Sequence, residues 1–318
     1  MPKHFGAFDQ NLMTEWHVRY GGRGVMIYWH VERGSVCIHS RLRRCSSSEV
    51  AAMIEGVLRH DTGMEVERQY VDSHGQSEVA FAFCRMLGFQ LLPRLKAISA
   101  QRLYLPETGD AASYPNLTCI LARQIDWALV EQQYDEFVRY TTAMAERTAD
   151  PEAILRRFTR GNGQHPTYKA LAELGKTVKT IFLCRYLGDE ALRREIHEGL
   201  NVVETWNSVN GFIFFGKGGE VASNRLDDQE VSVHALHLLQ YLLGVREYAD
   251  ATARAGRIRV DGAHDASGPA RPDPAPVGPR QPIRRLRLGH GNPARPRCQE
   301  GCVNEVASLR SWSIEAIR

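Results

Sequence analysis

The stretch that most constrains the fold is a short apolar strand that passes directly into the start of a helix. Residues 65–71 predict the strand, and Ser73 or Ser77 can cap the helix that follows. That helix keeps apolar side chains on one face, at Val79, Phe81, Phe83, Met86 and Leu87. Asp72 therefore lies at the end of a strand, where a sheet can present a metal-binding carboxylate, unless it only caps the helix.

Strand-like and helix-like runs alternate through the first part of the chain. Residues 24–31 and 35–40 predict a hairpin, since β-branched and aromatic runs flank a Glu-Arg-Gly turn. A capped helix ending near Arg59, the strand before Asp72 and a short strand over 89–92 follow. The remainder predicts helices over residues 119–147, 151–160, 166–187, 189–206 and 228–243. This order favours an α/β fold, an RNase H-like core with a helical insertion over about residues 93–200.

The character of the sequence changes near residue 244. Residues 251–300 hold 8 of the 14 prolines, and no lysine follows Lys217. Such a segment has too few apolar residues to offset its ordering entropy, so residues 244–318 are expected to be a disordered tail. Its sequence is rich in Arg, Pro, Gly and Ala, which is also what translation of a GC-rich gene in the wrong reading frame would produce. Residues 1–243 form the predicted folded domain.

Composition excludes several classes of protein. The chain has 318 residues, of which 43% are hydrophobic and 24% charged, as in ordinary globular proteins. No apolar run is long enough to span a membrane, and the N-terminus does not resemble a signal peptide, so a cytoplasmic location is expected. The seven cysteines form no CxxC pair, which favours reduced thiols. A net charge of +3 means that any affinity for nucleic acid depends on local basic patches.

Four motifs together resemble a known family. They are Tyr-Gly-Gly-Arg-Gly-Val (20–25), Tyr-Val-Asp-Ser-His-Gly-Gln-Ser-Glu-Val-Ala-Phe (70–81), Leu-Gly-Phe-Gln-Leu-Leu-Pro-Arg-Leu (87–95) and Phe-Gly-Lys-Gly-Gly-Glu (215–220). In this combination they look like the catalytic domain of the Tn3 family of replicative DNA transposases, from about residue 3 to 243. The resemblance implies an RNase H-like core with an Asp-Asp-Glu triad, as in retroviral integrases.

The resemblance also implies the chemistry and the ligands. Transposon-end cleavage and strand transfer attack a phosphodiester in line, and two Mg²⁺ ions about 4 Å apart activate the nucleophile and stabilise the leaving oxygen. Carboxylates suit Mg²⁺. Asp72 matches the second Asp, and Glu204 fits the Glu, with Glu220 as the alternative. Without the family, Glu204 would be an ordinary solvated helix-face carboxylate.

The first Asp of the triad has no clear counterpart. Its expected position, about 70 residues before Asp72 by resemblance, falls at or before Met1. Residues 3–6 look like the end of that motif, so the acidic residue and its N-terminal strand are expected to be missing. Asp9 is the nearest substitute. With two of three carboxylates, weak metal occupancy and no strand cleavage or transfer are expected from this polypeptide alone.

Basic residues are candidate DNA contacts, although each could equally be a solvated surface charge. The candidates are Arg23, Arg94, Lys96, Arg102, Lys176 and Lys179. The run Leu174-Gly175-Lys176-Thr177 resembles a P-loop only superficially, since Ala170 replaces the earlier glycine and a helix precedes it. His197 lies two turns before Glu204 on about the same face, so it could contact a phosphate or simply be a half-buried helix residue.

Two functions are compatible with these features. The first is a transposase catalytic-domain fragment that acts on transposon terminal inverted repeats and target DNA on the bacterial nucleoid. The alternative is a non-catalytic fragment that binds DNA or interferes with a full-length transposase. A third outcome is an unstable product that never folds, because a missing central strand would leave sheet edges open.

Overall fold

The computed structural model describes residues 2–7, 14–17, 21–34, 36–60, 62–107, 110–159, 165–213, 220–221, 223 and 225–261. Residues up to Leu238 belong to one compact unit, and the described residues from Leu239 onward belong to a second. The predicted α/β class is confirmed, since helices and small sheets share the first unit.

The largest sheet is built around one long strand. Its strands are β1 (Pro2–Ala7), β2 (Glu15–His17), β3 (Gly22–Val31), β4 (Cys37–Arg43) and β9 (Glu220–Val221). The order is β2-β3-β1-β9, and β4 pairs with β3 antiparallel, which confirms the predicted hairpin. Strand β1 pairs antiparallel with β3 in a region for which the sequence predicts no strand. Hydrogen bonding to β3 therefore orders a segment with little strand signal of its own.

Helix α1 (Glu49–Arg59) follows this hairpin. The Ser48 hydroxyl accepts a hydrogen bond from the Ala51 amide (3.3 Å), so the predicted cap of this helix is confirmed, and Ser48 forms it. Glu55 is buried on this helix and forms ion pairs with Arg59 and with two arginines of β4, Arg41 and Arg43. The buried carboxylate thus ties α1 to β4.

The second sheet is a parallel βαβ unit. Strands β5 (Arg68–Val71) and β6 (Gln90–Pro93) pair with Val71 opposite Pro93, and helix α2 (Glu78–Met86) connects them. Both strands and the helix confirm the sequence prediction. The helix is fully buried at Phe81 and Phe83, so its apolar face forms the centre of the larger core.

Helices dominate the described residues after β6. They are α3 (Trp127–Gln132), α4 (Tyr134–Ala145), α5 (Pro151–Thr159), α6 (Pro166–Gly188), α7 (Glu190–Ile213) and α8 (Leu226–Asp261). The predicted insertion is not helical throughout, because β7 (Leu103–Leu105) and β8 (Leu121–Gln124) form a parallel pair inside it. The helix predicted from residue 119 was therefore wrong at its start: residues 121–124 pair with a strand distant in sequence, and helix begins at Trp127.

Helix α8 does not end at residue 243, where the sequence predicts disorder to begin. It runs on to Asp261, because residues 244–261 contain no proline and the first proline of the tail is Pro269. The prediction of a disordered, out-of-frame tail over residues 262–318 lies outside the described residues. In the part of the chain that the structure describes, no helix is long and apolar enough to cross a bilayer.

A smaller core joins α7 and α8 to the main sheet. Trp206 of α7 meets Trp29 of β3 edge-on, with ring centroids 6.1 Å apart, and His237 of α8 contacts both rings. The imidazole Nε2 of His237 lies 3.0 Å from the Cys37 carbonyl oxygen. These contacts fix the C-terminal half of α7 over β3.

Candidate functional site

Asp72 lies at the carboxyl end of β5, beside the carboxyl end of β6. The Arg94 amide donates to the Val71 carbonyl (2.9 Å), so Asp72 and Arg94 are the next residues in register on neighbouring strands. Adjacent strands lie about 5 Å apart. The chain then turns through a short 3₁₀ helix (Ser73–Gly75) before α2. The Ser77 hydroxyl caps α2 by accepting from the Ala80 amide (3.2 Å), so Asp72 is not its N-cap.

A set of contacts fixes α7 over β5. The Glu195 carboxylate accepts hydrogen bonds from the Tyr70 hydroxyl and from an Arg68 guanidinium nitrogen, both at 2.5 Å. Gly199 lies so close to Tyr70 that a Cβ at this position would be 2.9 Å from the ring. Because only glycine permits this approach, the helix is held against the strand in one register.

The same register brings Glu204 to the Asp72 end of β5. From Glu195 to Glu204 the helix rises about 13.5 Å, and from Arg68 to Asp72 the strand advances about 13 Å. Consistent with this match, an Arg94 guanidinium nitrogen donates to a Glu204 carboxylate oxygen at 3.2 Å. Asp72, Arg94 and Glu204 thus lie at one end of the β5–β6 sheet.

Tyr28 of β3 lies close enough to Asp72 for their charges to interact. Burial raises the pKa of the Tyr28 phenol far above its ordinary value, and the nearby Glu49 and Asp72 carboxylates raise it further. Tyr28 therefore remains a neutral phenol at physiological pH. Tyr28 is an uncharged neighbour of Asp72, and its phenol is unsuited to act as a base.

The other acidic candidates are only partly described. Glu220 begins β9, where it pairs with Gly6 of β1, and its side chain lies outside the described residues, as does the whole of Asp9. His197 is exposed on α7. Over the residues that the structure describes, no group of three or more His, Cys, Asp or Glu side chains is arranged to hold a metal ion.

The predicted DNA contacts fall in three separate places. Arg94, Lys96 and Arg102 follow β6, and both Lys96 and Arg102 are exposed. Arg23 is exposed at the start of β3. Lys176 and Lys179, by contrast, line a cavity of about 660 Å³ between the N-terminus of α2 and α6.

Both lysines of this cavity interact with groups inside the fold. The Lys176 ammonium donates to Glu173 at 2.7 Å and lies 5.3 Å from the centre of the Tyr104 ring. Burial lowers the pKa of Lys179, with a smaller opposing effect from Glu78. The Lys176 ammonium is thus paired inside the cavity and Lys179 is half-buried beside it, while their role as DNA contacts stays a prediction.

The P-loop-like run lies in the middle of α6. Gly175 packs so tightly on α2 that a Cβ there would meet the Glu78 carbonyl oxygen at 1.8 Å. The glycine serves helix packing, and the backbone amides around it belong to a continuous helix and not to a phosphate-binding loop.

Comparison with known proteins gives the family of this fold. The family model described as the Tn3 transposase DDE domain matches residues 2–264. The chain belongs to the Tn3 transposase DDE domain family. No solved structure matches this DDE domain.

Curated relatives of the DDE domain are transposases. The transposase for transposon Tn1546 of Enterococcus faecium is 31% identical over 231 residues, which cover 72% of this chain and 23% of that protein. Those for Tn501 of Pseudomonas aeruginosa and Tn21 of Escherichia coli are 26% and 28% identical, each over 70% of this chain and 22% of the relative. The chain thus spans about a quarter of the length of these relatives.

Sequence reasoning missed the residues that position this end of the DDE domain. The Arg68–Tyr70–Glu195 contacts join residues 125 or more positions apart, and the Arg94–Glu204 pair joins residues 110 apart. The one local signal was Gly199, a glycine inside an otherwise regular helical pattern, which often marks a close approach of another element.

Proposed function

We propose that Asp72 and Glu204 are two carboxylates of a metal-dependent DNA transposition site, with Mg²⁺ as the natural cation. The observation that supports the proposal is that α7, held to β5 through Glu195, advances along this strand by about the length that separates Arg68 from Asp72. Glu204 therefore lies near the strand end that bears Asp72. In this family assignment the substrate is DNA, since the curated relatives are transposases. Transposon ends and target DNA are the proposed substrates.

The donor set fits a hard divalent cation. Carboxylate oxygens are the ligands that Mg²⁺ prefers, and Glu204 already pairs with a positively charged group, the Arg94 guanidinium. When bound, the metal would supply Lewis-acid activation of the phosphodiester and of the attacking hydroxyl. Asp72, at the end of its strand, and Glu204, on α7, would hold it.

The described residues supply two ligands for this site and not three. Because two carboxylates hold Mg²⁺ weakly, we expect the polypeptide alone to perform no strand cleavage or transfer. Exposed Lys96 and Arg102 follow β6 and are placed to bind DNA phosphates near the site.

The proposal is tested by titrating the purified chain with Mn²⁺, a paramagnetic substitute for Mg²⁺, and counting the bound ions by electron paramagnetic resonance. Asp72→Asn and Glu204→Gln should each weaken binding at least threefold, since each removes a ligand charge. Glu190→Gln is the matched control, because this exposed carboxylate lies about 20 Å along α7 from Glu204. Equal affinities for all four proteins would refute the site.

A second candidate function follows from the same ligand count. A domain with two carboxylates and exposed basic residues could bind DNA without cutting it, and so interfere with a full-length transposase. Adding the chain to a transposition reaction catalysed by a full-length relative separates the two. Inhibition that persists in Asp72→Asn supports interference, whereas Mg²⁺-dependent nicking by the chain itself, lost in Asp72→Asn, contradicts both this alternative and the expected inactivity.

A further inference from the structure

Arg94 is paired with Glu204, one of the two carboxylates proposed to hold the metal. Its backbone is fixed at the end of β6 by the 2.9 Å hydrogen bond from its amide to the Val71 carbonyl. Its side chain extends toward α7 and donates to the Glu204 carboxylate at 3.2 Å. A positive charge therefore lies beside one of the two carboxylates assigned to the site.

The guanidinium and a metal ion compete for the same carboxylate. A Glu204 oxygen that accepts from Arg94 has less electron density to offer to a cation, and a guanidinium within a few ångströms of a divalent cation repels it. The two side chains of the pair are 42% and 49% exposed, so the ion pair is weak and can exchange partners.

We propose that Arg94 stands in for the metal at Glu204 in the DNA-free protein, and moves to a DNA phosphate when a divalent cation binds Glu204. The inference rests on the proposed metal site and adds its regulation. It explains why Arg94, which the sequence predicts to contact DNA, is paired with a carboxylate in the structure. Because one residue serves both ligands, metal and DNA each favour binding of the other.

The first test measures Mn²⁺ affinity by electron paramagnetic resonance in the full chain without DNA. Arg94→Gln should bind Mn²⁺ about five- to tenfold more tightly, because competition and repulsion are both removed. Arg194→Gln is the matched control; it removes an exposed positive charge about 15 Å along α7 from Glu204 and should change the affinity less than twofold. In a Glu204→Gln background, Arg94→Gln should give a much smaller gain, since its partner is gone.

The second test measures binding of a duplex oligonucleotide by fluorescence anisotropy. With saturating Mn²⁺, Arg94→Gln should weaken DNA binding at least threefold; without metal, when Arg94 remains paired with Glu204, it should change the affinity less than twofold. Arg94 is partly exposed, so the substitution should leave the melting temperature nearly unchanged, which circular dichroism verifies.

The outcomes separate this inference from the proposed function. If Asp72→Asn and Glu204→Gln weaken Mn²⁺ binding but Arg94→Gln behaves like Arg194→Gln, the stand-in role is wrong and the metal site remains. If none of these substitutions changes Mn²⁺ affinity, the metal site and the stand-in role both fail.

Discussion

Glu173 shows how a charged residue is kept inside the helical part of the fold. Its side chain is 6% exposed, and it accepts hydrogen bonds from Arg123, from the Lys176 ammonium (2.7 Å) and from the Asp126 amide (3.1 Å). Burial alone would raise the pKa of this carboxyl, but these donors together lower it to about 2. The carboxylate therefore stabilises the fold only while it is ionised.

This shift predicts a pH dependence of stability. The folded-state pKa lies below the ordinary value of 4.5, so the stabilisation is complete above about pH 4.5 and is lost as the pH falls toward 2. A shift from 4.5 to about 2 corresponds to roughly 3 kcal/mol at most. Urea unfolding at a series of pH values should show wild type losing stability over this window.

Glu173→Gln should not show the loss of stability that protonation of Glu173 causes in wild type below about pH 4.5. It should also be less stable than wild type at pH 6. Glu190→Gln is the control, since its ion pair with Arg194 joins two exposed side chains and contributes little. A Glu173→Gln profile parallel to that of wild type would contradict the assignment.

Individual site residues were only partly predictable. Asp72 is visible in the sequence because a strand, a turn and a helix cap follow one another locally. Glu204 depended on family resemblance, and its metal role stays a prediction. The partner of Arg94 could not be predicted, because it depends on how far α7 extends along β5, which is a tertiary distance.

At the scale of elements, the contact between α7 and β5 depends on the absence of one side chain. Gly199 lets the helix lie on the Tyr70 ring, and the Glu195 contacts hold it there. A methyl group at this position would displace α7 or the ring by several tenths of an ångström or more. The placement of Glu204 is therefore sensitive to a residue more than a helical turn away.

Gly199→Ala should lower the free energy of unfolding by about 1–3 kcal/mol, despite the better helix propensity of alanine. It should also weaken Mn²⁺ binding, because Glu204 moves relative to Asp72. Gly188→Ala is the matched control: a Cβ there meets nothing within 4 Å, so that variant should be as stable as wild type or slightly more so. Chemical denaturation measures the stability of both variants. Equal stability of Gly199→Ala and Gly188→Ala would refute the role of Gly199 in the close approach of α7 to β5.

Elements with a strong local pattern were predicted well and those that depend on distant partners were not. The prediction of residues 166–187 and 189–206 matches α6 and the first two thirds of α7. Strands β7 and β8 were missed because each is stabilised by pairing across a 15-residue interval. The end of α8 was predicted too early. The high proline content of residues 251–300 as a whole concealed that residues 244–261 contain no proline.

At the scale of the whole molecule, a net charge of +3 on 318 residues gives only a weak overall field. Binding of DNA would then depend on a few exposed cations such as those after β6. The chain covers about a quarter of the curated relatives, 22–24% of their length, so any affinity measured for it belongs to this domain and not to a whole transposase.

Affinity for duplex DNA should fall steeply with salt. Lys96→Gln should weaken binding severalfold and reduce the slope of log affinity against log salt by about 0.9, the value for one phosphate contact. Arg194→Gln is the control, because this exposed arginine lies about 15 Å along α7 from Glu204. Anisotropy titrations at several salt concentrations measure both slopes, and equal slopes for the two variants would contradict a contact at Lys96.

Trp206 follows Glu204 by two residues and packs edge-on against Trp29. Since both residues belong to one helix, a displacement of Glu204 also changes the surroundings of the indole. The domain thus contains its own optical probe: a divalent cation that replaces Arg94 at Glu204 should alter the intensity or wavelength of tryptophan emission. Substituting Trp206 with phenylalanine would identify the origin of that signal, and no attached dye is needed to follow the site in real time.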